Sequence, residues 1–239
     1  MSAEHTADDG PLPDPQIDSR LLPAAMSVVT ILAAMSGVVD TVAYQRFGVF
    51  VANQTGNLVI IMVDLTVGRF DGTLIASLMS LVFFIFGVFI AVALRNRLRR
   101  SMTRHRVRII LLIVETACIG IVAFGVLICG EGRLAYAAIA LLAVSQGFQG
   151  VVVTRVVGVA IQSVVINAAI VQVADWWSRG RRRAAYIAVC VPVGYLLGAA
   201  LGAILLRFPA PSALMSALVL AILAVVIAAQ LRSRGGDLD

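Results

Sequence analysis

The sequence predicts an all-α membrane bundle of about six net crossings, an inverted repeat of two halves whose first helices are interrupted. Three observations carry that prediction. Sixty per cent of the 239 residues are apolar and 13 % are charged, with a mean hydropathy of +0.98. A soluble domain is nearer half apolar and a quarter charged. Apolar runs of about 20 residues, the length of a bilayer span, recur along the chain. The basic residues, all 19 of them arginine, concentrate in short segments between those runs. Such a composition excludes a soluble enzyme, a disordered chain and a secreted disulfide scaffold.

Residues 1–20 are polar, acidic and proline-bearing, and read as a disordered tail with no signal-peptide pattern. Apolar runs follow at 22–44, 48–67, 73–94, 109–130, 135–154, 158–177, 184–206 and 211–231. Eight runs need not be eight crossings. Seven arginines, from Arg95 to Arg108, fill one loop, and Arg179, Arg181, Arg182 and Arg183 fill another. Both loops belong on the cytoplasmic side. Three apolar runs separate them, so one run does not cross fully or two form one broken crossing. Let 22–67 and 135–177 each make one net crossing. Both termini are then cytoplasmic, with 14 arginines inside and three (Arg69, Arg133, Arg207) outside. The predicted organisation is a tail at 1–20, repeats at 21–130 and 131–232, and a C-terminal tail at 233–239.

An internal repeat supports this division. Shifted by 110 residues, Gly37 meets Gly147, Gly48 meets Gly158 and Asn57 meets Asn167. Nine of 37 positions are identical between 31–67 and 141–177, against roughly three to five by chance for so apolar a composition. With three net crossings per half, the second half enters from the opposite face.

The polar residues inside the membrane are the candidate site. Asp40, Tyr44, Arg46, Asn53, Gln54, Thr55 and Asn57 sit between the first two runs. Unpaired polar groups cost several kcal/mol in hydrocarbon, so they must face protein, water or a ligand. Asp40 and Tyr44, four apart, share a helix face. Asn53-Gln54-Thr55-Gly56-Asn57 reads as a break with a helix starting near Thr55 or Asn57, a place suited to an anionic group or a carbonyl. Capping alone is the other reading. Gly37, Gly48 and Gly56 read as bend positions. Asp40 is expected to pair with Arg155 of the second half or to lie on an ion path. Glu115, early in its run, either snorkels to the interface or faces the bundle and carries a proton. Gln146, Gln149, Arg155 and Asn167 echo the polar band in the second half. Asp175-Trp176-Trp177 reads as an interfacial anchor. Gly194, Gly198 and Gly202, four apart, form a small-residue stripe for close packing, within the chain or against a second copy in a homodimer.

No catalytic, metal or cofactor signature is present: no HExxH, GxSxG or phosphate loop, and no CxxC among Cys118, Cys129 and Cys190. The positive charge follows membrane topology, not nucleic acid.

The stretch Gly37-Val38-Val39-Asp40, Tyr44, Gly48 and Phe50-Val51-Ala52-Asn53-Gln54-Thr55-Gly56-Asn57-Leu58 resembles the YoaK-type family of bacterial integral membrane proteins of unknown function. The resemblance spans roughly 25–230. It implies a glutamate early in a middle span, which Glu115 matches. It also implies a Gly-x-Gln-Asn block and a Thr-Gly block in the second half. Here Gly147-Phe148-Gln149-Gly150 lacks the asparagine, and Val165-Ile166 stands where Thr-Gly is expected.

The resulting expectation is a non-enzymatic protein of the bacterial cytoplasmic membrane that moves an unknown small solute or ion. Asp40, Tyr44, Asn53, Thr55, Gly56, Asn57, Glu115, Gln149, Arg155 and Asn167 would form its site. The alternative is a non-transporting scaffold or regulatory protein, with the polar band as internal glue.

Overall fold

A computed structural model describes residues 20–152, 155–156, 159–160, 166–208 and 211–233. Eight helices run through them: α1 (Leu22–Phe47), α2 (Gln54–Thr66), α3 (Gly72–Leu98), α4 (Arg104–Cys129), α5 (Glu131–Val152), α6 (Ile166–Ser178), α7 (Arg182–Leu205) and α8 (Ser212–Ser233). A two-residue antiparallel pairing joins β1 (Arg155–Val156) to β2 (Val159–Ala160). Among the described residues, six helices are long and apolar enough to cross a bilayer: α1, α3, α4, α5, α7 and α8. The chain is therefore a multi-pass membrane protein. Helices α2 and α6, with 13 residues each, rise only about 20 Å and fall short of a crossing.

Local chemistry sets the ends. Pro23 opens α1, where its missing N–H costs nothing. Gly48 closes it at φ 72°, its N–H donating to the Tyr44 carbonyl at 2.9 Å. A left-handed residue there turns the chain back on itself, and glycine adopts it without a Cβ clash. Asp71 caps α3 by accepting from the Thr73 and Leu74 amides at 2.9 and 3.3 Å.

The spans are apolar nearly all round, so side-chain size sorts their faces. Large residues such as Phe89, Ile128, Leu196 and Leu197 point outward, where the bilayer is their solvent. Glycine, alanine and serine line the helix contacts. The most buried spans are α1 and α5. Helix α1 packs on α7 and α8, and α5 packs on α3 and α4. Helix α2 lies on α3, α6 on α7, and α4 meets α8.

The glycine stripe works within the chain. A Cβ on Gly194 would sit 2.5 Å from the Thr30 carbonyl oxygen, and Gly198 abuts the Ala34 backbone. Gly37 meets α7 at Tyr195 and Ala199, so its role is close approach within an unbroken helix, not a bend. Gly87 and Gly147 do the same between α3 and α5, where a Cβ on either would meet a carbonyl oxygen at 2.6 Å. With no hydrophobic drive between helices in lipid, backbone approach supplies the dispersion contact that joins them.

Candidate functional site

The centre of the site is the segment between α1 and α2. After Gly48 the chain runs back alongside α1 until its amides reach Asp40. That residue lies seven positions before the end of α1, about 10 Å along the axis. Asp40 is 1 % exposed. Its Oδ1 accepts from the Val51 and Ala52 amides at 2.7 Å each, and its Oδ2 accepts from the Asn53 amide at 3.2 Å. The Tyr195 hydroxyl of α7 donates to the same Oδ2 at 2.7 Å. Both oxygens are thus engaged. The partners described for this carboxylate are three loop amides and a phenol. Three convergent N–H groups form a concave anion site, which a carboxylate fills without a guanidinium. The side chain of Arg155 lies outside the described residues.

A second set of bonds fixes the other side of the loop. Asn57 is fully buried. Its Oδ1 accepts from the Phe50 amide at 2.9 Å, and its Nδ2 donates to the Phe50 carbonyl at 2.6 Å. That Nδ2 also reaches Gln54 Oε1 at 2.9 Å and Ser80 Oγ at 3.2 Å. Ser80 of α3 donates to the Phe50 carbonyl at 2.6 Å, and Gln54 donates to the Val51 carbonyl at 2.8 Å. Ser80 lies eight residues into α3, about 12 Å from its start. Asp40 and Ser80 therefore mark one depth. The loop descends to that depth and α2 climbs back, so 48–66 is a re-entrant hairpin.

The remaining residues of the block fall into place around it. Asn53 caps α2, with its Oδ1 accepting from the Gly56 amide at 3.4 Å. A Cβ on Gly56 would lie 2.8 Å from the Phe50 ring, so this glycine makes room for the ring. Tyr44 is 51 % exposed and stacks on Phe50 with ring centroids 4.9 Å apart. Thr55 points outward on the first turn of α2. Among the sequence candidates, then, Asp40, Asn53, Gly56 and Asn57 come together as a lock. Tyr44 flanks it and Thr55 faces away.

A separate buried polar cluster lies where α1 meets α5. Ser36 Oγ is within hydrogen-bonding distance of Gln146 Oε1 (2.8 Å) and Gln149 Oε1 (2.9 Å). Gln149 Nε2 donates to the Leu32 carbonyl at 2.9 Å. Gln146 Nε2 is buried with no partner. Glu115 on α4 is 1 % exposed, and neither carboxyl oxygen has a partner. It faces the bundle and does not snorkel. Asn167 is exposed near the start of α6 and joins neither group. Asp175 pairs with Arg179 at 2.8 Å, while the Arg181 and Arg182 guanidinium groups lie over Trp176 and Trp177. That is the geometry of an interfacial anchor.

A groove of about 330 Å³ opens at the loop end of the bundle between α1, α3 and α5, lined by Phe47, Asp71, Thr73, Tyr136 and Ile139 among others. From Ile139, Gln146 lies seven residues deeper along α5, about 10 Å.

Tyr195 and Ser36 were not legible as site residues. Tyr195 sits inside an apolar run between stripe glycines, and its partner is 155 residues away. The one available signal is a lone hydroxyl-bearing aromatic well inside a span, which needs a partner there.

Six spans, a re-entrant half-helix locked by a buried carboxylate, and a polar crossing of the two central helices define a polytopic helical membrane protein; the interruption expected within the first helix is absent, since α1 is unbroken over Leu22–Phe47 and the polar residues form the segment that follows it. The chain belongs to the family described as protein of unknown function (DUF1275), whose model matches residues 28–228. That range takes in the lock and both buried polar groups. No match is found among curated proteins or among solved structures.

Proposed function

We propose that this protein is a secondary transporter of a small solute in the bacterial cytoplasmic membrane, built as an inverted repeat with both termini cytoplasmic. One observation carries the reading. Ser36 and Gln146 are 110 residues apart, the repeat shift itself, and their side chains are bonded. Matched positions of two halves touch only on the axis relating them. The helix pairings fit the same axis: α1 on α7 and α8 is answered by α5 on α3 and α4, and α2 on α3 by α6 on α7. Such repeats allow one half to rock on the other around a central site. The arginine loops then fall on one side with both termini.

In this reading Asp40 and Tyr195 hold the re-entrant hairpin and do not meet the solute. Gln146 offers a free donor on the axis, and Glu115 is a proton site. An unpartnered carboxyl is far cheaper neutral than charged in an apolar bundle, which suits a group that gains and loses a proton. A carboxyl, an amide and a hydroxyl recognise a small polar solute better than an apolar one.

A scaffold role is the second reading, favoured by Asp40 and Asn57, whose polar atoms are all taken by the protein itself. A thermal-shift panel of metabolites and ions separates the two, run on wild type and Gln146→Leu with uptake into liposomes. A solute that stabilises and is accumulated by wild type alone supports transport. If no compound shifts either protein and no uptake is found, the scaffold reading takes its place.

A further inference from the structure

We propose that the groove between α6 and α7 holds a resident anionic phospholipid, with an acyl chain in the groove and the phosphate at the arginines that start α7. The groove has a volume of about 540 Å³. Ile170, Val173 and Trp177 wall it from α6, and Val189 and Pro192 from α7, with Ser178 at its head end. Ile170, Trp177 and Val189 are exposed, so the groove opens sideways, toward the bilayer. A solute dissolved in water does not enter by that side; a lipid does. Nothing about this groove depends on whether the chain transports a solute.

Depth and chemistry both match such a lipid. Trp177 and Ser178 end α6 in the interfacial anchor, at headgroup depth. From there Ile170 lies seven residues back along α6, about 10 Å, and Pro192 lies ten residues into α7, about 15 Å. The groove therefore begins among headgroups and ends near the middle of a hydrocarbon core about 30 Å thick, the path of one acyl chain. Its head end carries arginine. Arg179 pairs with Asp175, while the contacts described for Arg181 and Arg182 are the faces of Trp176 and Trp177, at 5.8 and 6.0 Å from the ring centroids. A guanidinium over a ring keeps its in-plane N–H groups for an acceptor at its edge. A lipid phosphate supplies such oxygens, and Trp177 is both a wall of the groove and the seat of Arg182. In the 110-residue register Trp177, Arg181 and Arg182 match Val67, Asp71 and Gly72, so neither the ring nor the charges repeat in the first half. Internal symmetry does not account for them.

The chain's two tryptophans are Trp176 and Trp177, so a Trp176→Phe protein reports from the groove wall alone. The full chain with that change is placed in phosphatidylcholine nanodiscs. Quenching of Trp177 is then titrated with phosphatidylglycerol or phosphatidylcholine brominated on the acyl chains. The expected result is a preference for brominated phosphatidylglycerol of roughly fivefold or more, the scale of one arginine beside an anionic lipid. Adding Arg181→Gln/Arg182→Gln should bring the two lipids to equal quenching, whereas Arg99→Gln/Arg100→Gln in the other basic loop should leave the preference intact. The proposal is overturned if the two lipids quench Trp177 equally before any arginine is changed, or if both arginine pairs remove the preference alike, which is general surface attraction. Quenching by neither lipid also overturns it, because protein then covers the groove. Should the first glutamine pair not fold, Ala174→Phe, which fills the groove, decides. Loss of the preference supports a chain seated there, and an unchanged preference overturns it.

Discussion

The Tyr195 hydroxyl donates to Asp40 Oδ2 at 2.7 Å, joining α7 to the one carboxylate that also holds the amides of the re-entrant loop. One side chain thus ties three segments: α1, the loop before α2, and a span from the other end of the chain. Removing the phenol leaves the three amides in place. Tyr195→Phe is expected to lower stability by about 1.5–3 kcal/mol, the scale of a hydrogen bond to a charged group. Denaturant titration in mild detergent measures it. A loss under about 0.5 kcal/mol would mean the bond contributes nothing.

Asp40 itself is expected to matter more, and in a graded way. Asp40→Asn keeps one oxygen for the Val51 and Ala52 amides and can donate to the Tyr195 oxygen, but offers nothing to the Asn53 amide. Asp40→Ala orphans all three amides, at about 1–3 kcal/mol each before relaxation. The alanine variant should therefore melt well below the asparagine variant. Hydrogen exchange should show loss of protection confined first to residues 50–57, where Asn57 alone cannot hold the loop. Equal melting of the two variants would contradict the lock.

The glycine contacts predict where bulk is forbidden. Gly198→Leu drives a side chain into the Ala34 backbone and should abolish a monodisperse protein on size exclusion. Gly132→Ala, with open space around its Cβ position, is expected to stay within about 0.5 kcal/mol of wild type.

Glu115→Gln separates stability from function. Both Glu115 oxygens are buried without partners, so the amide should leave the melting midpoint unchanged or raise it. Proton-coupled uptake should be lost in the same protein. A midpoint lowered by several degrees would reveal a structural partner for this carboxyl.

How much of this could be read from the chain depends on which force acts. Span positions follow from apolar length and were legible, whereas the interruption expected within the first helix is not there: α1 is unbroken over Leu22–Phe47, and the polar residues that lipid cannot tolerate form the segment after it and the start of α2. The block around Asn53 to Asn57 reads from its residue types as a break with capping, and the structure has both. Asp40 stood out as a buried charge, but its partners did not. A sequence displays guanidinium groups as candidate counter-charges, whereas backbone amides are present at every residue and become a site only when Gly48 turns the chain back. Arg155, whose side chain lies outside the described residues, was the visible choice, while Tyr195 is a described partner that the sequence did not single out. Tyr44 and Asn167 are exposed because in spans apolar on all faces, helix spacing does not say which face is inward. Ser36 escaped notice for the opposite reason: a single serine in an apolar run is common, and only its contact with Gln146 gives it meaning.

The most direct measurement places a single cysteine at Gln146→Cys after Cys118, Cys129 and Cys190 are changed to serine. A membrane-impermeant maleimide is then applied to right-side-out and to inverted vesicles. An inverted repeat that exposes its axis alternately to each face predicts labelling of residue 146 from both sides, with uptake of the solute slowing both reactions. Labelling from neither side, in a protein that remains folded, would contradict the transport reading and leave the Ser36–Gln146 crossing as a structural joint.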